Sequence, residues 1–398
     1  MQRMGSTEYV SRATNEDLER ILAYAGRPGM ISLAGGLPDP SVFPREELSE
    51  IAGMVIGEMG QDALQYSAAM GVPKLRERIS RYMEEELGIG GQGPDSVLVT
   101  TGSQESLFSI SMSLLREGDA VFTENPTYFV AYTVFREFGA RVRPSPMEED
   151  GIDTHSLEAA VRSEEPGRRK FIYVMPVAQN PTGASMGEEK KRHILEIASQ
   201  YDLMVIEDDP YGLINYSGAR PRPLKSMDGE GRVIYLSTFS KVLAPGLRIG
   251  WAAGDPGLLS SVSRVKQLID LNTNTLSQYI CSEALERRLI QRNIGRVVEA
   301  YRRKRDWMDQ ALRSEFGDRV SYVLPDSGMF IFARFQGVDT RKMVMRAVES
   351  GVLYLPGDST FVSDPDYSTA RLNFSYPGRE EISEGIRRLG RVFRPSSP

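Results

Sequence analysis

The chain has 398 residues, 40% of them hydrophobic and 26% charged, with a net charge of −6 at pH 7. That balance excludes disordered and fibrous classes, and the length favours two packed domains over one small core. The charge is spread along the chain without a basic cluster, so no nucleic-acid partner is expected. The one cysteine, Cys281, excludes an intrachain disulfide and a Cys-cluster metal site, and it is expected in the core. No apolar run reaches membrane-spanning length, and Met1 to Arg20 is polar where a secretory signal needs an apolar stretch; no membrane partner and a cytoplasmic location are expected.

In chain order, residues 1–45 form an N-terminal segment expected to pack with the C-terminal domain. It carries a helical pattern over Thr14 to Gly29, then the loop Gly35-Gly36-Leu37-Pro38-Asp39-Pro40. The helical stretch is expected to move over the functional site. Residues 46–285 read as a large α/β domain. Within it Gly88-Ile89-Gly90-Gly91-Gln92-Gly93 matches the dinucleotide-binding pattern G-x-G-x-x-G, but it follows a charged helix and precedes a strand. The pattern needs the reverse order to place a pyrophosphate on a helix N-terminus, so it reads as a helix exit and a nicotinamide cofactor is unsupported.

Short β-rich runs follow: Val97 to Thr101, Ala120 to Thr123, Lys170 to Met175, Leu203 to Ile206, Val233 to Ser237 and Ile249 to Ala253. Helical stretches alternate with them, as in Glu188 to Gln200, where Ile194, Leu195 and Ile197 fall among charges. Such alternation predicts a mainly parallel sheet flanked by helices, with ligands bound beyond the carboxyl ends of its strands. His155 and His193 lie far apart in polar, helix-like surroundings and are expected at the surface without a metal or acid–base role. Residues 286–398 open with a charged helix, Ile290 to Phe316, continue through Met329 to Phe335 and end near Phe393; they predict a smaller α+β domain.

The most informative motif is Ser237-Thr238-Phe239-Ser240-Lys241-Val242-Leu243-Ala244-Pro245-Gly246-Leu247-Arg248, directly after a predicted strand. An amine there forms a Schiff base with an aldehyde cofactor once burial or nearby cations lower its pKa, while Thr238, Ser240 and Arg248 would hold a phosphate. Asp208, in Glu207-Asp208-Asp209-Pro210-Tyr211, suits a cationic ring nitrogen, and Tyr211 and Asn180 suit a ring oxygen. Gly102, Ser103 and Gln104 open a helix whose N–H groups would cradle the phosphate, and Tyr128 would stack on the ring. Taken singly each has a plainer reading: an exposed loop lysine for Lys241, a solvated helix cap for the Asp pair, a turn for Asn180-Pro181, an N-cap for Ser103, a packed aromatic for Tyr128.

Together these motifs resemble class I/II, fold-type I pyridoxal-5′-phosphate (PLP) aminotransferases, in the subgroup of 2-aminoadipate and aromatic aminotransferases. The resemblance runs from Gly35-Gly36 through Leu64-Gln65-Tyr66 and Gly71-Val72-Pro73-Lys74-Leu75-Arg76 to Arg371-Leu372-Asn373-Phe374-Ser375. The 28 residues from Asn180 to Asp208 and the 33 from Asp208 to Lys241 also match. The resemblance implies PLP as cofactor and Lys241, Asp208 and Tyr211 as catalytic. It implies Arg371 on the substrate α-carboxylate, with Asn180 and Gly36 lining the substrate site. It also implies a homodimer in which Tyr66 reaches the neighbouring subunit's phosphate. The expected reaction moves an amino group between an L-amino acid of the 2-aminoadipate, aromatic or branched-chain type and a 2-oxo acid such as 2-oxoglutarate, in a ping-pong cycle. A PLP-dependent β-lyase or decarboxylase on the same fold, and a non-catalytic ligand-sensing module, are the alternatives.

Overall fold

The computed structural model describes residues 23–218 and 220–394. Residues 14–22 of the expected mobile segment lie outside them. Ile31–Ser32 (β1) leads into the Gly/Pro loop, after which the helices Arg45–Ala63 and Pro73–Leu87 precede the sheet. Gly88 ends the second helix in the left-handed conformation, φ 68°, so the glycine-rich run is a helix exit as read.

Eight strands form the large sheet: Val97–Thr100 (β2), Ala120–Asn125 (β3), Arg141–Glu148 (β4), Gly151–Ile152 (β5), Lys170–Val174 (β6), Met204–Asp208 (β7), Val233–Thr238 (β8) and Gly250–Ala253 (β9). Their order is β2-β9-β8-β7-β6-β3-β4-β5. Pairing is parallel from β8 through β7, β6 and β3 to β4, while β9 runs against both β8 and β2. The parallel α/β expectation holds. The interior strands are largely apolar and buried because helices cover both faces, with polar residues such as Glu124, Asp208 and Thr238 at their carboxyl ends. Val121, Tyr173 and Ile206 point into the main core, and Phe122, Ile172 and Val205 into a second cluster on the opposite face. Each such side chain contributes roughly 1.5–3 kcal/mol through burial.

β4 escaped the sequence reading. Its run Arg141-Val142-Arg143-Pro144-Ser145-Pro146 carries charges and two prolines, which are tolerated near a sheet edge where N–H groups need no partner strand. The two histidines are a correction: they are distant in sequence, yet the adjacent helices Thr154–Ser163 and Glu188–Gln200 bring their rings to 5.1 Å. His155 is exposed and His193 half-buried, with Nδ1 2.8 Å from the Thr154 hydroxyl. Cys281 is buried as expected.

The C-terminal portion begins with the helix Leu289–Phe316 and builds a four-stranded antiparallel sheet. Its strands are Val320–Ser321 (β10), Phe330–Phe335 (β11), Leu355–Pro356 (β13) and Thr369–Asn373 (β14), ordered β10-β11-β14-β13. Val352–Leu353 (β12) pairs with β1, which ties the N-terminal segment to this portion. Asp39 of the Gly/Pro loop pairs with Lys304 at 2.5 Å, and its N–H donates to the Tyr301 hydroxyl at 2.9 Å. The loop is therefore pinned to the long helix. Among the described residues no helix is long and apolar enough to cross a membrane.

Candidate active site

β2, β3, β6, β7 and β8 run the same way, so their carboxyl ends and the loops behind them lie along one edge of the sheet. β9 runs the other way and starts at that edge, which brings Arg248, two residues before it, into the same group. A cleft of about 330 Å³ opens there. It is lined by every residue singled out from the sequence except Tyr66: Gly36, Gly102, Ser103, Gln104, Tyr128, Asn180, Asp208, Tyr211, Thr238, Ser240, Lys241, Arg248 and Arg371. Tyr66 lies outside the cleft on an exposed loop, 77% accessible.

Lys241 closes a single 3-10 turn after β8, and its Nζ donates to the Gly36 carbonyl at 2.9 Å. Burial, helped by Arg371 and Arg248, pulls its pKa down to about 8, so far more of the amine is neutral near physiological pH than in a free lysine. The turn is fixed by Thr238, whose hydroxyl donates to the Ile249 carbonyl at 3.0 Å and accepts from the Ser240 N–H at 3.1 Å.

Across the sheet edge, the helix Ser103–Leu114 begins at Gly102 with no side-chain cap. Ser103 is thus not the N-cap that the plainer reading proposed. Gly102 has φ 77°, and a Cβ on it would lie 2.6 Å from Arg248 Nη2. On Gly250 a Cβ would lie 2.5 Å from the Ser103 nitrogen. Only glycine allows the two chains to meet this closely. The result is an open helix N-terminus beside a guanidinium that reaches the Thr101 carbonyl (3.2 Å) and the Ser240 hydroxyl (3.4 Å). Both features attract a phosphate.

Asp208 ends β7 with its side chain buried. Tyr173 donates to Oδ2 at 2.9 Å, while Oδ1 has no partner among the described residues. Burial, opposed by the Tyr173 bond and reinforced by Asp209, pushes this carboxyl up to about 7. A buried acceptor without a partner is costly, and a cationic ring nitrogen would satisfy it. The residues present therefore fit the cofactor expected from the sequence: Lys241 would meet its aldehyde, Asp208 its ring nitrogen, and the Gly102–Gln104 turn with Arg248 its phosphate.

At the far wall, β14 carries Arg371, 5% exposed. Its guanidinium donates to Asn180 Oδ1 and to the Ala34 carbonyl, each at 2.8 Å, and lies over the Phe330 ring at 4.1 Å. Nε has no partner among the described residues. Burial lowers this guanidinium to about 10, which leaves it charged and able to grip a carboxylate. Gly36 sits against the same ring, since a Cβ there would be 3.1 Å from Phe330 Cζ.

Several site residues were not singled out from the sequence. Tyr173 holds Asp208, Phe330 and Leu355 wall the far side, and buried Glu124 joins the Met175 N–H to the Gln179 amide, both at 3.0 Å. Strand alternation from Phe171 would have placed Tyr173 on a known face; nothing local marks Leu355.

Residues 36–389 match the model of a family described as aminotransferase class I and II. The chain is 38% identical over 381 residues to aromatic-amino-acid aminotransferase 1 of Thermococcus litoralis, covering 95% of this chain and 91% of that one. It is 36% identical over 381 residues to 2-aminoadipate transaminase of Thermus thermophilus, covering 95% and 93%. The crystal structure of Pyrococcus horikoshii kynurenine aminotransferase in complex with PMP, with KYN as substrate and KYA as product, superposes with a TM-score of 0.93 at 35% identity, covering 98% and 97%. The chain belongs to the class I and II aminotransferases, PLP-dependent enzymes of fold type I.

Proposed function

We propose that this protein moves an amino group between an L-amino acid of the aromatic, 2-aminoadipate or branched-chain type and a 2-oxo acid, with glutamate and 2-oxoglutarate as the common pair, in a ping-pong cycle. The observation that carries this reading is the buried Arg371 guanidinium, its Nε without a partner among the described residues, lining the same cleft as a lysine of lowered pKa. An amino acid held by its α-carboxylate at Arg371 and Asn180 presents its α-carbon toward Lys241. The relatives named for aromatic amino acids, 2-aminoadipate and kynurenine support the substrate class.

When bound, PLP supplies an aldehyde for an amine and a protonated ring that draws off the electron pair left by α-proton removal. The chain's own groups divide the remaining work. Lys241 takes the α-proton and returns it one atom away. Asp208 would keep the ring nitrogen charged, Tyr211 and Asn180 would serve the ring oxygen, and Tyr128 would pack on the ring. Gly102, Ser103, Gln104, Thr238, Ser240 and Arg248 anchor the phosphate, joined by Tyr66 from a second copy in a cytoplasmic homodimer. We assign residues 46–285 to a cofactor-binding domain, 286–398 to a small domain and 1–45 to a segment packed on the latter.

Steady-state rates with 2-oxoglutarate and a panel of L-amino acids test the reading. Glutamate formation with parallel double-reciprocal lines is expected. Release of ammonia or CO2 in place of glutamate would assign the chemistry to a lyase or decarboxylase.

A further inference from the structure

Asp208, assigned above to the ring nitrogen, has one oxygen without a partner among the described residues and one that is held by the protein. β6 and β7 pair in parallel with Tyr173 opposite Ile206, so the next residue on that face of β7, Asp208, lies diagonally beyond Tyr173. The phenol spans that diagonal and donates to Oδ2 at 2.9 Å. Its ring is fully buried and wedged edge-on against Phe135, centroids 5.3 Å apart, so it has little freedom to turn away. The other oxygen, Oδ1, is buried without a partner among the described residues, and Asp208 lines the cleft.

We propose that Tyr173 is a positioning residue that holds the Asp208 carboxylate by Oδ2, aiming Oδ1 at the cofactor's ring nitrogen and keeping the shared proton on the nitrogen. The reason is the balance of proton affinities. Asp208 is buried and Asp209 follows it, both of which favour the neutral acid. The Tyr173 hydroxyl is the side-chain donor that favours the charged form. Without it the proton between ring and carboxylate moves to the carboxylate, and the ring loses the charge that makes it an electron acceptor. Tyr173 itself is not among the residues that line the cleft.

The inference rests on the assignment of Asp208 to the ring nitrogen, so the test runs two variants in parallel. Holoenzyme is loaded with PLP carrying 15N in the ring, and the 15N chemical shift is followed between pH 5 and 9 for parent, Tyr173→Phe and Asp208→Asn proteins. The parent is expected to show a protonated nitrogen throughout. Tyr173→Phe is expected to show loss of that proton within the range, its apparent pKa lower by about one unit or more, with kcat down about 10-fold and KM within about two-fold. A 15N profile unchanged in Tyr173→Phe but changed in Asp208→Asn overturns the role of Tyr173 alone. A profile unchanged in Asp208→Asn overturns the Asp208 assignment and the inference with it. Should Tyr173→Phe fail to fold, 4-aminophenylalanine at position 173 serves instead: it keeps the shape and is the weaker donor, so loss of the nitrogen's proton should move into the measured range, and an unchanged profile contradicts the proposal.

Discussion

On the strand-end side of the cleft, Gly102, Asp208, Tyr211 and Lys241 each lie within a few residues of a β-strand terminus, and each was visible as part of a short motif. The opposite wall is assembled from remote pieces: Arg371 donates to the carbonyl of Ala34, 337 positions away in the chain, and its guanidinium lies over Phe330. One side is built by local sequence and a shared strand direction, the other by how the N-terminal loop is threaded between β14 and the long helix. In the proposed reading the strand-end side would hold the cofactor, and the threaded side would meet the substrate. Mutations on the two sides should therefore fail in different ways.

The largest effect is expected where the two sides touch. Lys241→Ala should lower kcat about 10⁴-fold or more, because it removes both the anchoring amine and the base. Arg371→Lys should lower kcat/KM about 10²-fold, since an ammonium cannot grip a carboxylate with a planar fork. Its cofactor absorbance should match the parent, and weakened cofactor binding there would blur the division between the two walls. Gly102→Ala should do the reverse: a Cβ meets Arg248 Nη2 at 2.6 Å and strains φ 77°, so the Kd for PLP should rise about 10-fold or more while KM at saturating cofactor changes little.

The lysine sharpens the comparison through pH. Its pKa is lowered to about 8, so the neutral amine needed to capture the aldehyde accumulates above that value rather than above the 10.5 of a free lysine. The rate of PLP capture by the cofactor-free protein should rise through a midpoint near pH 8, and Arg371→Leu should move that midpoint upward by removing a nearby cation. Between pH 8 and 10.5 the unfolded chain binds more protons at this position than the folded one. Stability of the cofactor-free protein should therefore rise with pH there on account of Lys241. The smallest effect belongs to the glycine-rich decoy. Gly88→Ala should cost about 1 kcal/mol of stability through its left-handed φ, with kcat unchanged.

What the sequence showed divides along the same line. Strand runs and their loops were readable because burial on both faces writes continuous apolar segments and the parallel fold collects their ends. β4 was not readable, since an edge strand with Pro144 and Pro146 carries no such signature. Arg371 entered through family resemblance, because one arginine in a C-terminal strand says nothing of the pocket it enters. The proximity of His155 and His193 was misjudged because helix packing, not chain distance, sets it. Tyr173 was passed over as one aromatic in the apolar run Lys170–Val174, although strand alternation alone puts it on the face of Asp208.

The most direct measurement of the central claim is the visible spectrum of the PLP-loaded protein on addition of L-glutamate, then of a 2-oxo acid. The lysine-bound absorbance should disappear as the pyridoxamine form accumulates and return with the oxo acid, and Lys241→Ala should lack the starting band. An unchanged band after glutamate and the other L-amino acids, or an identical starting band in Lys241→Ala, would contradict the account.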